Sequence, residues 1–125
     1  MSLDEQLPVA NWPTVSGEYK VVQLELDGHL YLRFPEEDRE THATILDKLF
    51  SHVGVKYDTI LSANNYDVPA LSGERYKVYG MGKSQINVEQ KEAYFDGISS
   101  DYMIIIDAAH LESLRPLVND WKLKS

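Results

Sequence analysis

The apolar positions of this chain change period several times. From Tyr19 to Leu26 they alternate, with Lys20, Val22, Leu24 and Leu26 on one face and Tyr19, Val21, Gln23 and Glu25 on the other. That is the pattern of a strand with two distinct faces. Asp27-Gly28 carries the signature of a tight hairpin, His29 to Phe34 returns as a second strand, and Pro35 ends it. The period then becomes helical. Thr41 to Val53 predicts a first helix, with Ile45, Leu46, Leu49, Phe50 and Val53 forming one stripe at about 100° per residue. Gly54 is its stop signal. His42 projects into the middle of that stripe from the first turn.

The rest of the chain reads less regularly. Tyr57 to Ala63 predicts a third strand, running into a loop with Asn64-Asn65 and Pro69. Arg75 to Tyr79 predicts a fourth, and Gly80-Met81-Gly82-Lys83-Ser84 a tight loop after it. Asn87 with Gln90 marks the start of a second helix that Gly97 ends. Tyr102 to Asp107 predicts a buried strand. Leu111 to Leu123 predicts a final helix with Pro116 in its first turn. Residues 1–16, with Pro8 and Pro13, read as an extended arm, and 111–125 as an added C-terminal helix. The expectation is one α/β domain over 1–125, a mixed sheet with helices packed on it, in the order β-β-α-β-β-α-β plus the C-terminal helix.

A length of 125 residues fits a single domain. The absence of cysteine excludes disulfides, thiolate metal sites and a cysteine nucleophile, and is compatible with the cytoplasm. Met1 to Asn11 is polar and acidic, without the apolar core of a signal peptide. The longest apolar run, Met103-Ile104-Ile105-Ile106, is far too short to span a membrane. Twelve Lys and Arg against 20 Asp and Glu leave a formal charge of −8. That balance argues against nucleic acid and fits a cytoplasmic protein or one with a basic partner. The charge is uneven. Glu36-Glu37-Asp38 is an acidic loop, whereas Arg75, Lys77 and Lys83 are the charged residues between Glu74 and Glu89.

His42 carries the first chemical suggestion. An imidazole at a helix N-terminus lies beside backbone N–H groups that lack helical partners and a positive dipole end, a setting for an anion. The ordinary alternative is a core or cap histidine. The Gly80 to Ser84 segment has the look of a nucleotide-binding loop, but Lys77 stands where that pattern requires a glycine. Its two glycines read either as an anion nest or as a plain turn. His29, His42, His52 and His110 lack metal-ligand spacing, so no metal or cofactor is expected. There is no Gly-x-Ser-x-Gly elbow. Tyr76, Tyr79, Tyr94 and Tyr102 read as packing residues rather than a base-stacking platform.

Three separated segments resemble the Janus/Ocnus family of phosphohistidine phosphatases. Gly17-Glu18-Tyr19-Lys20-Val21-Val22 is similar to that family's opening strand. Glu40-x-His42-Ala43-x-Ile45-x-Asp47-Lys48 resembles the segment that bears its catalytic histidine. Val78-Tyr79-Gly80 is similar to the strand end before its phosphate loop, and Asp101-Tyr102 also fits. The likeness covers roughly residues 17–107. It implies His42 as the catalytic residue, Lys20 as the phosphate-binding lysine and Ala43 as a backbone donor. Gly80, Gly82, Lys83 and Ser84 would complete the phosphate pocket. It further implies metal-independent hydrolysis of phosphohistidine or a related phosphoramidate, on a phosphorylated protein or a small molecule. The chain departs from the family in its rewritten Met81-Gly82-Lys83-Ser84 segment, in lacking a loop arginine near Tyr66 or Asp67, in a shorter first connection and in its extra C-terminal helix. A non-catalytic acidic protein that binds a basic partner through Glu36-Glu37-Asp38, or a binder of phosphorylated ligands on the same fold, is the alternative reading.

Overall fold

A computed structural model describes residues 7–125. The expected arm is therefore seen from Leu7, and its first six residues lie outside the described part. Seven strands and two helices follow: β1 (Gly17–Leu26), β2 (His29–Arg33), α1 (His42–Val53), β3 (Thr59–Leu61), β4 (Asp67–Pro69), β5 (Tyr76–Asn87), β6 (Glu92–Asp96), α2 (Ala108–Leu114) and β7 (Lys122–Lys124). Five of the strands form one sheet in the order β2-β1-β5-β6-β7, while β3 and β4 make a small separate pair. All neighbours in the large sheet are antiparallel except β6 and β7, which run parallel. The mixed α/β architecture is as expected. Among the described residues, no helix is long and apolar enough to cross a membrane.

The first half forms as its local signals dictate. Asp27 and Gly28 adopt φ of 51° and 83°, the left-handed pair that a tight hairpin needs. Thr41 caps α1, its Oγ1 accepting from the Thr44 amide at 3.1 Å, and Gly54 closes the helix at φ 71°. The buried side of α1 is His42, Ile45, Leu46, Leu49, Phe50 and Val53. This stripe meets Val22, Leu24, Leu26, Tyr76, Val78 and Met81 on one face of the sheet. The other face carries Val21, Ile86, Phe95 and Leu123, covered by Leu111, Leu114, Val118 and Trp121.

The second half corrects five expectations. The segment expected as a loop through Pro69 holds β4, which pairs antiparallel with a shortened β3 from Thr59↔Pro69 to Leu61↔Asp67. Gly80 to Ser84 is not a loop; with Arg75 to Tyr79 it belongs mostly to the single strand β5, paired with β1 from Gly17↔Ile86 to Leu26↔Tyr76. The glycines serve close approach rather than a turn. A Cβ on Gly80 would collide with the Gln23 amide oxygen and lie 2.7 Å from Asp107 N, and one on Gly82 would collide with the Asp96 carbonyl. The helix expected from Asn87 is instead a turn followed by β6. Asn87 Oδ1 does accept from the Gln90 amide at 3.0 Å, but Lys91 then turns at φ 52°. Ala93 and Phe95 alternate inward from there.

Tyr102 to Asp107 is no regular strand. Met103 turns at φ 57°, and Met103 and Ile105 are 62% and 63% exposed. The space beside β5 that such a strand would fill is only crossed, by the Met81 N–H donating to Ile105 O. The final helix stops at Leu114. A 3-10 turn over Arg115–Val118 follows, with Pro116 as its second residue, and the chain then extends into β7 beside β6.

One irregularity sets the faces of β5. The register with β1 slips between Gln23 and Leu24, leaving Tyr79 as an extra residue between Val78 and Gly80. Such a bulge shifts side-chain parity, so Tyr76, Val78 and Met81 all face α1 although 78 and 81 are an odd number apart. Fully buried Gln23 holds the bulge. Its amide exchanges two hydrogen bonds with the Asp107 backbone, at 2.9 and 2.8 Å, and donates to His110 Nδ1 at 3.3 Å. Since His110 Nδ1 accepts, its Nε2–H donates to Leu24 O at 3.1 Å. This network ties α2 to the middle of the sheet.

Candidate functional site

His42 is the first residue of α1, and only 4% of it is exposed. Its Nε2–H donates to the Gly82 carbonyl at 2.9 Å, which leaves Nδ1 as the nitrogen that can accept a proton. No side chain among the described residues bonds to Nδ1. Burial holds the imidazole below its ordinary value of 6.5; the Gly82 bond opposes this, Lys20 adds to it and Asp101 opposes it. The ring is therefore neutral at pH 7. The first helical bond of α1 runs from the Ile45 amide to Thr41 O at 3.0 Å. The Thr44 amide is taken by the Thr41 side chain, and the Ala43 and His42 N–H groups, two and three residues before Ile45, have no helical acceptor.

Two cations stand on the same side of the sheet. Lys20 shares a face with Val22, which packs under α1, and lies directly opposite Lys83 across the β1–β5 ladder. Directly opposed residues of an antiparallel pair point the same way. Both lysines are exposed, and neither makes a salt bridge among the described residues. Lys83 is in turn opposite Asp96 on β6. Asp101, half-buried and accepting from Asn64 Nδ2 at 3.1 Å, completes the charges that act on His42.

The structure thus brings His42, Lys20, Lys83 and the Ala43 amide to one end of α1. Gly82 joins them through its carbonyl, as an acceptor that orients the ring, not as an anion donor. Gly80 and Ser84 do not take part. Ser84 is fully buried and shares the opposite face with Ile86, where its Oγ donates to Tyr19 O at 2.9 Å. The alternation of a strand makes this unavoidable: if Lys83 faces the site, Ser84 faces away. Gly80 sits in mid-sheet against the Asp107 backbone, so no nest forms there. Sequence spacing does not mark Asp96 or Asp101 as site residues, because only sheet register and a loop contact bring them near.

The acidic loop adjoins this site. A cavity of about 300 Å³ beside Lys20 is lined by Glu18, Glu36, Glu37, Asp38 and Arg39, among others. Glu40 is buried and bound to Lys48, and it accepts from the Glu36 amide at 3.2 Å. Among the described residues no cluster of three or more His, Cys, Asp and Glu could hold a metal ion.

Fold and site together define a small mixed α/β domain with a neutral histidine and a paired-lysine patch at one helix N-terminus. Comparison with protein-family models finds no match, and comparison with curated proteins finds none at a significant level.

The two buried histidines give a pH prediction. Burial is the first cause of lowering in both His42 and His110, so each binds its proton more readily in the unfolded chain. Their contribution to stability is complete above about pH 6.5 and is lost as pH falls below it, until the lower folded values are reached. Urea unfolding at pH 7.5 and 5.5 should show the wild type losing more stability than His42→Gln or His110→Gln. Equal losses in all three proteins would show that neither ring is held neutral.

Proposed function

We propose that this site binds a phosphoryl group and hydrolyses an N–P bond, with phosphohistidine or another phosphoramidate as substrate. The observation that carries the reading is the Lys20–Lys83 pair. Like charges directly opposite on a sheet repel, and these two, which make no salt bridge among the described residues, stand on the sheet face that α1 and its neutral histidine cover. An anion between them removes the repulsion. Lys20, Lys83 and the Ala43 N–H would bind the phosphoryl oxygens and stabilise the charge that builds up in transfer.

His42 Nδ1 is the reacting nitrogen. As a general base it takes a proton from water while the water oxygen bonds to phosphorus; the P–N bond breaks and the amine leaves with a proton. As a nucleophile, Nδ1 itself bonds to phosphorus while the substrate P–N bond breaks and the amine leaves with a proton; water then attacks phosphorus, and the Nδ1–P bond breaks to release phosphate. Both routes end in the amine and inorganic phosphate. The acidic groove over Glu36, Glu37 and Asp38 favours a phosphorylated protein segment with basic flanks, or a small cationic phosphoramidate. The same groove is what favours the second reading, a non-catalytic binder of a basic partner. The cytoplasm is the compartment this proposal takes.

The test is hydrolysis of phosphohistidine with chelator present. Lys20→Ala and Lys83→Ala should each raise KM by about tenfold or more, the effect of losing a charge-assisted bond of about 1.5–3 kcal/mol. Folding stability should hold or rise, because each change removes like-charge repulsion. Unchanged KM in both variants sinks the phosphoryl-binding role of the pair. Stable binding of a basic protein with no turnover and no phosphate affinity would establish the second reading instead.

A further inference from the structure

We propose that the cleft between α1, the end of β2 and the N-terminal arm binds a small organic monocarboxylate with an apolar body. This site is separate from the one at His42. The cleft has a volume of about 580 Å³, within the roughly 300–1,000 Å³ typical of small-molecule sites. Phe34, Ile45, Leu49 and Leu7 supply apolar wall, and Arg33 lies in its lining.

Arg33 is the reason for an anion. It is 5% exposed, and burial holds its guanidinium at about 10, below the ordinary arginine range. It remains charged at neutral pH. Its contacts are carbonyls: Nη1 donates to Leu32 O at 2.6 Å and Val9 O at 3.2 Å, and Nη2 to Pro8 O at 2.8 Å. The Tyr31 ring lies 5.0 Å from Cζ. No carboxylate pairs with it among the described residues. A guanidinium has five N–H donors, of which Nε–H and one Nη2–H make no hydrogen bond to the described residues; because no buried side-chain nitrogen among those residues is left without a partner, Nε opens to solvent. A buried charge without a counter-ion is strongly unfavourable.

The free donors match the fork that holds a carboxylate. This chain uses that fork elsewhere: Arg75 donates through Nε and Nη2 to the two oxygens of Asp27, at 2.9 and 2.6 Å. Two of the three acids lining the cleft are otherwise engaged, and the third, Glu36, is exposed. Glu40 is bound to Lys48, and Asp47 accepts from the Tyr57 hydroxyl at 2.6 Å. A monoanion is favoured over a phosphate dianion, which would meet Glu36 and Glu40 with one unpaired cation to balance it.

The experiment is a titration of the ¹⁵N-labelled protein with 3-phenylpropionate and, separately, with its uncharged amide. The acid should give saturable shifts confined to Arg33, Phe34 and the exposed edge of α1, and bind at least about tenfold tighter than the amide. Arg33→Gln should weaken it by about tenfold or more. Because Arg33 also holds the arm, a second variant is needed: Ser51→Trp, at an exposed lining position, keeps Arg33 and fills the cleft. It should block binding while leaving phosphohistidine turnover unchanged. No saturable shift, equal binding of acid and amide, or undiminished binding to Ser51→Trp overturns the proposal. So does binding that emerges only in an Asp4→Asn, Glu5→Gln double variant, since the chain's own acids would then be the counter-ion.

Discussion

His42→Ala is expected to abolish phosphohistidine turnover, by about 10²–10⁴-fold if the ring is the general base and at least as much if it is the nucleophile. The reasoning is geometric. Nε2–H is committed to Gly82 O at 2.9 Å, so Nδ1 alone can take a proton or attack phosphorus. No second imidazole stands there: the other groups are two lysines, an amide, Asp96 opposite Lys83, and Asp101, which accepts from Asn64. The fold should survive. Thr41 still caps the helix and Ile45 to Val53 still bury its stripe. The alanine leaves the Gly82 carbonyl without the ring and opens a hole beside it, a loss of about 1–3 kcal/mol. His42→Gln, with an amide N–H able to replace the donor, should recover much of that stability and none of the activity.

This split between stability and rate separates a catalytic histidine from a structural one. Activity should also fall on the acid side as Nδ1 becomes protonated, below the ordinary histidine value of 6.5. Turnover retained by a well-folded His42→Ala protein would refute the assignment.

The second large effect concerns glycines that the sequence suggested for phosphate binding. Gly80→Ala is expected to destabilise the domain by about 3 kcal/mol, at the upper end of overpacking effects. Two of the atoms that the new Cβ meets are backbone, Asp107 N at 2.7 Å and Ile105 O at 2.8 Å, and the third is the Gln23 amide oxygen. Relief would require moving the segment that Gln23 and His110 tie to the sheet. Gly82→Ala should be similar, since its Cβ meets the Asp96 carbonyl and comes within 2.9 Å of Ile106 Cδ1.

Gly17→Ala supplies the control. Its Cβ meets only the Tyr19 ring, at 3.7 Å and beyond, so a change within about 0.5 kcal/mol is expected. Urea midpoints of the three variants decide the matter. A Gly80→Ala protein as stable as Gly17→Ala would show that the approach at β5 is looser than described and would reopen a ligand role for that backbone.

Legibility along the chain follows the range of the forces involved. The hairpin and α1 were readable because their determinants are neighbours in sequence. Asp27-Gly28 turns, Thr41 caps, Gly54 stops, and the stripe from Ile45 to Val53 has an unmistakable period. His42 was legible as an inward-facing residue for the same reason, and Lys20 through the alternation of the first strand. The Gly80 to Ser84 segment misled because glycine, lysine and serine have turn-like local preferences, while ten cross-strand pairings with β1 impose an extended backbone. Asn87 and Gln90 did make their local contact, but the inward alternation of Ala93 and Phe95 carried the chain into a strand.

The sequence by itself determined the class of fold, the β1–β2 hairpin, the capped helix and the inward position of His42, since each rests on contacts within a few residues. Only the tertiary structure decided the path of β5, and with it the site's membership. The extra residue Tyr79 sets which side chains of that strand face α1, so Lys83 joins Lys20 while Ser84 turns into the opposite core. No local pattern encodes that choice, because a bulge is a property of two strands in register and exists only once the long-range pairing has formed.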